Sequence, residues 1–203
     1  IMQKFAYSSE IYHIKIDDLL LLADTQIQPS DASMHTDVML FIGQEKQQQS
    51  DGLICGRNIL VEARSQGKTH YPTRIVFEQR VKNFSIFALL KPIRSKNQDY
   101  STHSYEILLS DIIHNKLERN LKTPNTAYNY SNRNQYSVPK EERDQRFQAI
   151  DSSFAQYGYN KNYPMAIMLC RGLGVKDKLH QGHHRMYFCR KYNIEYVQVK
   201  FLA

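Results

Sequence analysis

The sequence predicts an α+β protein in two parts: a β-rich N-terminal module over residues 1–100, then a small mixed sheet with flanking helices over residues 104–203. Three observations carry this. Residues 10–16 (EIYHIKI) and 196–201 (YVQVKF) alternate apolar and polar side chains, the period of a half-buried strand. Residues 139–157 place apolar side chains three and four apart, the period of a helix. Residues 165–170 (MAIMLC) form a short unbroken apolar run between turn signals, as expected of a strand covered on both faces.

Composition agrees with a folded chain. Of 203 residues, 41% are hydrophobic and 23% charged, enough apolar surface for a core and too little charge for a disordered chain. The longest apolar runs, Leu19–Ala23 and Met165–Cys170, are far shorter than the ~20 residues a membrane helix needs, so no membrane partner is expected. Residues 1–10 (IMQKFAYSSE) lack the basic-then-apolar pattern expected of a secretory signal. Cys55, Cys170 and Cys189 lack CxxC spacing and read as free thiols in a reducing compartment, which predicts a cytoplasmic protein. Charge is uneven: residues 1–100 hold 12 Lys+Arg against 11 Asp+Glu, residues 101–203 hold 15 against 9. The second half therefore suits a polyanionic partner, DNA or a nucleotide; the alternative is a basic solvated face.

Element by element, Glu10–Ile16 reads as a strand that meets the apolar run Leu19–Leu22. Asp37–Ile42, Ile59–Ala63, Thr73–Phe77 and Phe84–Leu90 read as further short strands, separated by the polar loop 43–52 and by Gly67, Pro72 and Asn83. No repeat and no chemistry-bearing motif is evident in residues 1–100, which read as a small β-rich module or as an extension that packs on the second half; in the binding-module reading they would contact a protein partner. Tyr105–Leu109 is a strand candidate, and Leu121–Tyr136 is a long loop. Its Tyr128, Tyr130 and Tyr136 beside Arg133 suit base stacking or plain surface exposure. From Pro139 to Tyr157 runs the clearest helix, with Glu141, Glu142 and Asp144 in its first turns and Phe147, Ile150, Phe154 and Tyr157 on one buried face; Gly158 ends it. After Pro164 come the strand Met165–Cys170, a turn at Gly172 and Gly174, and the short strand Val175–His180. A second helix over Arg185–Tyr192 follows, with Met186, Cys189 and Tyr192 inward, and then the strand Tyr196–Phe201, with Val197, Val199 and Phe201 on one face.

The informative segment is Gln181-Gly182-His183-His184-Arg185, between a strand and a helix. Glycine lets backbone approach a ligand closely. The first N–H groups of a helix have no partner within it and lie at the positive end of its dipole, which makes an anion site. Two imidazoles and a guanidinium add charge-assisted donors. The competing reading is a solvated helix start. Two adjacent histidines without an acid at ligand spacing argue against a metal site, no GxSxG elbow supports a serine hydrolase, and Cys189 sits at core spacing.

RFQAIDSSFAQYGYNKNYPMAIMLCRG followed by KLHQGHHRMYFCRKYNIEYVQVKFL resembles the ParB N-terminal-domain/sulfiredoxin superfamily, over about residues 104–203. There a helix ending in glycine leads to a Pro-hydrophobic strand, a hairpin leads to a GHHR or GxRR-type box, and a helix and closing strand follow. The resemblance implies a ParB/sulfiredoxin-like fold and a nucleotide- or phosphate-binding box at Gly182, His183, His184 and Arg185. Members include CTP-binding partition proteins, sulfiredoxins, ADP-dependent serine kinases, nuclease-like proteins and plasmid fertility-inhibition factors credited with ATPase and DNase activity. The acid that often precedes the glycine is Gln181 here, and the sulfiredoxin cysteine is replaced by His183.

The expected function is that of a stand-alone nucleotide phosphohydrolase or nuclease. His183 and His184 would bind phosphate or act as acid and base, and Arg185 would stabilise the transferring phosphoryl; Gln181 and Lys178 would extend the nucleotide site beside Arg171 and His180. ATP, ADP or CTP with Mg2+ is the expected cofactor, Asp177 or Glu195 being the nearest acid to the metal. The alternatives are a non-catalytic nucleotide- or DNA-binding interference module of plasmid or phage type, an ADP/ATP-dependent small-molecule kinase, and a fold retained only as scaffold.

Overall fold

The computed structural model describes residues 4–29, 37–79, 99–112, 139–169 and 176–203. Its strands are β1 (Lys4–Lys15), β2 (Met39–Ile42), β3 (Gly52–Cys55), β4 (His70–Gln79), β5 (Tyr105–Leu108), β6 (Met165–Met168), β7 (Lys178–Gln181) and β8 (Tyr196–Leu202). The helices are α1 (Ile16–Leu20), α2 (Arg57–Ser65), α3 (Lys140–Tyr157) and α4 (His183–Lys191). These strands form one mixed sheet in the order β3-β2-β4-β1-β5-β8-β6-β7. The fold is thus α+β with flanking helices. The expected boundary between two parts falls between β4 and β5, which lie in the same sheet. Phe201 of β8 packs on Tyr12 of β1 and Tyr105 of β5, at ring-centroid distances of 5.3 and 5.9 Å, so the core also crosses that boundary.

Local sequence explains most elements. In α3, Phe147 and Phe154 are buried and Ile150 packs against the core, as the spacing predicts. Tyr157 is not on that face: it is 76% exposed, in the last turn. Val197, Val199 and Phe201 are buried on one face of β8. Other expectations are corrected. Ile59–Ala63 is not a strand but part of α2, with Leu60 and Ala63 buried and Val61 turned outward, a spacing of three that only a helix produces. Leu19 and Leu22 are core residues delivered by α1 and the turn after it. The polar segment 43–52 contains a 3-10 turn, Glu45–Gln47, and runs into β3, a strand that the sequence pattern does not predict. Helix α4 begins at His183, two residues early. The expected strand Phe84–Leu90, the loop Leu121–Tyr136 and the turn at Gly172 and Gly174 lie outside the described residues.

The structure contains a repeat that the pattern of strands and helices expected from the sequence does not include. In each half a first strand is followed by a helical turn, a two-strand hairpin, a helix and a closing strand. β1 pairs antiparallel with β4, β4 parallel with β2, and β2 antiparallel with β3; β5, β8, β6 and β7 repeat the same relations in the same order. Helix α3 is the addition in the second half. The two halves meet where β1 and β5 pair, Ile14 opposite Ile107, so an approximate twofold axis passes between them. Matching positions hold Tyr12 and Tyr105, Asp18 and Asp111, Asp51 and Asp177, Leu53 and Leu179, and Gly56 and Gly182.

Hydrogen bonds across the axis are reciprocal. Asp18 accepts from the Glu106 amide at 2.8 Å, and Asp111 accepts from the His13 amide at 2.6 Å. Asp51 accepts from the Tyr105 hydroxyl at 2.6 Å, and Asp177 accepts from the Tyr12 hydroxyl at 2.7 Å. Each half thus supplies donors to carboxylates of the other, and the four aspartates explain themselves as joints of the fold.

Candidate functional site: the start of helix α4

The corner at Gly182 follows from packing at β6. Gly182 has φ +104° and ψ 17°, the left-handed region, and a Cβ there would lie 2.7 Å from Met165 Cγ. Only glycine fits without displacement. The carbonyl of Gly182 accepts the first helical bond, from the Met186 amide at 2.8 Å. Met186 and Cys189 then turn into the core, which sets the helix axis. No acidic residue occupies the first turn of α4, whereas α1 carries Asp17 and Asp18 there and α3 carries Glu141 and Glu142. The positive end of the α4 dipole is therefore not offset by its own first turn.

The three box side chains go different ways. His183 is half-buried, and burial, with His184 and His180 adding to it, pulls its imidazole below the usual range. It therefore stays neutral near pH 7. His184 points its ring edge-on at Phe147 of α3, at 6.2 Å and 89°. Arg185 donates from Nη1 to the carbonyl of Tyr163 and, at 3.1 Å, to that of Pro164. Its guanidinium thus holds the turn between α3 and β6.

The remaining predicted residues are spread out. Gln181 is exposed beside the corner. Lys178 stands at the far end of β7, four residues and about 13 Å along the strand from Gly182 at ~3.3 Å per residue. Asp177 is fully buried, and its carboxylate accepts from the Tyr12 hydroxyl and the Ser9 amide, at 2.7 and 3.2 Å. Glu195 is exposed beyond the opposite end of α4. Among the described residues no group of three or more His, Cys, Asp or Glu is arranged to hold a metal. Cys189 is fully buried, and burial pushes its thiol up to about 12, which suits packing and not nucleophilic attack. Arg171 lies outside the described residues.

Sequence reasoning misses a matching corner at Gly56, which opens α2 with φ +101°. Like α4, α2 has no acid in its first turn. Its Arg57 grips the chain after α1, donating to the carbonyls of Leu20 and Leu22 and to Asp24. The chain does carry a signal: Asp-x-Leu-x-x-Gly occurs at 51–56 and again at 177–182, and Tyr-x-Ile at 12–14 and again at 105–107. Comparisons of the chain with family models, with curated proteins and with solved structures gave no match.

Proposed function

We propose that this protein binds a phosphate-bearing ligand, a nucleotide or a nucleic-acid phosphate, at the start of α4, and that it acts by binding rather than by turnover. One observation carries the reading: α4 opens on a left-handed glycine with no acid in its first turn, so its dipole favours an external anion. A neutral half-buried His183 beside that point supplies a polar contact that costs no buried charge. The excess of 15 Lys+Arg over 9 Asp+Glu in residues 101–203 supports the same sign of partner. Binding is favoured over hydrolysis because Nη1 of Arg185, the group expected to stabilise a transferring phosphoryl, already donates to two backbone carbonyls, which turns the guanidinium toward the turn before β6.

The test is a thermal shift series with ATP, CTP, ADP and duplex DNA, each with and without Mg2+, together with phosphate release. Stabilisation by one of these without turnover is expected. Gln181→Glu, which sets a negative charge beside the corner on an exposed side chain, should abolish the shift and leave the unliganded Tm in place. An unchanged shift in that variant overturns the site. Phosphate release above background that Arg185→Ala removes would restore the phosphohydrolase reading.

A further inference from the structure

We infer that Tyr12, from the first half of the chain, is a positioning residue for the corner at Gly182 and acts through Asp177. The inference rests on the anion site proposed above and assigns residues of the first half to it. The corner lies at the end of β7, an edge strand of four residues whose one sheet neighbour among the described residues is β6. Edge strands with one neighbour open readily unless something else holds them. At its other end β7 is held firmly. Asp177, the residue before β7, accepts from the Tyr12 hydroxyl at 2.7 Å and from the Ser9 amide at 3.2 Å, and donates its own amide to Ser9 Oγ at 2.8 Å. These bonds cross from the sheet edge to β1, past β6, β8 and β5 in the strand order.

The anchor is stiff. Tyr12 is fully buried, and its ring meets Phe201 edge-on at 5.3 Å, so the hydroxyl cannot follow a drifting Asp177. The anchor also fixes register. Leu179 faces the core and Gly182 lies against Met165, and a slip of one residue would turn Leu179 outward and carry Gly182 off Met165. The repeat supplies an internal control. Tyr105 holds Asp51, which leads through β3 to Gly56, so the same bond in the other half serves the other corner.

The test uses the full chain with Tyr12→Phe and Tyr105→Phe, each lacking one buried hydroxyl. Backbone amide exchange at residues 182–185 and the NMR titration midpoint of His183 are read without ligand, and affinity is read with ATP as probe. Tyr12→Phe is expected to speed exchange at 182–185, move the His183 midpoint up toward the ordinary imidazole value, and weaken ATP about tenfold. Tyr105→Phe is expected to leave 182–185 and His183 unchanged and ATP within about twofold. Wild-type exchange at 182–185 in Tyr12→Phe, or equal changes in both variants, overturns the inference. Absence of ATP binding in the wild type would instead strike the ligand reading, while exchange and the His183 midpoint still decide the positioning. Should Tyr12→Phe not fold, Ser9→Ala takes its place under the same criteria.

Discussion

The imidazole of His70 and the phenol ring of Tyr196 stack face to face, with centroids 4.0 Å apart and planes within 9°. They are the first residues of β4 and β8, matching positions of the two halves, so the repeat meets itself at this pair. The pair stands over Glu106. His70 Nε2 lies 3.4 Å from its carboxylate, Lys161 Nζ 2.7 Å and Lys15 Nζ 3.9 Å. Burial works against the Glu106 charge, but Lys161 and Lys15 overcome it and hold the group below the usual carboxylate range.

This seam predicts acid sensitivity. Burial lowers His70 from the ordinary imidazole value of 6.5, although Glu106 pulls the other way, and burial lowers His183 likewise. Below 6.5 the unfolded chain therefore binds protons that the folded protein does not. The neutral imidazoles contribute stability above that value and lose it as pH falls toward their folded values. Tm should fall as pH drops from about 7 to about 5, a window above the titration of Glu106. His70→Phe, which keeps a ring against Tyr196, should flatten the fall. A profile as steep in His70→Phe as in the wild type would remove His70 from the account.

The two corner glycines predict unequal costs. Left-handed backbone costs an alanine ~1–2 kcal/mol at either site. A Cβ at Gly56 would lie 2.5 Å from the Asp37 carbonyl oxygen, which the backbone cannot easily move, whereas at Gly182 the nearest atom, at 2.7 Å, is on the Met165 side chain. Gly56→Ala should therefore lose ~1 kcal/mol or more beyond Gly182→Ala in urea unfolding. Shortening Met165 to alanine should cost less in the Gly182→Ala background than in the wild type. Equal losses at both glycines would contradict the packing argument.

Arg185 predicts a local rather than a global effect. Arg185→Ala removes its bonds to the carbonyls of Tyr163 and Pro164, worth ~1–3 kcal/mol for charged donors. Limited proteolysis and amide exchange should rise over residues 158–164, where Tyr163 is 65% exposed. Arg185→Lys should restore only part, since an ammonium lacks the planar fork. Unchanged exchange in this turn would show that the guanidinium does not hold it.

Elements with a strong local period are legible in the sequence alone. Helix α3 and strands β6 and β8 stand where periods of 3.6 and 2, or an unbroken apolar run, place them. Ile59–Ala63 (ILVEA) defeats that reasoning because five residues, apolar but for Glu62, are too few to fix a period; Gly56 and the burial of Leu60 and Ala63 decide it. The repeat is hard to see because matching positions often differ in residue, as His70 and Tyr196 do, and because the second half inserts α3.

Residue types along the chain determined that a glycine, two histidines and an arginine would meet the start of a helix, since backbone preference and dipole are local properties. Only tertiary structure decided where those side chains point. The carbonyls that Arg185 grips lie 22 and 21 residues back, and the tyrosine that holds Asp177 lies 165 residues back. Such partners are chosen by sheet closure and core packing, which couple positions far apart in the chain and leave no local pattern to read.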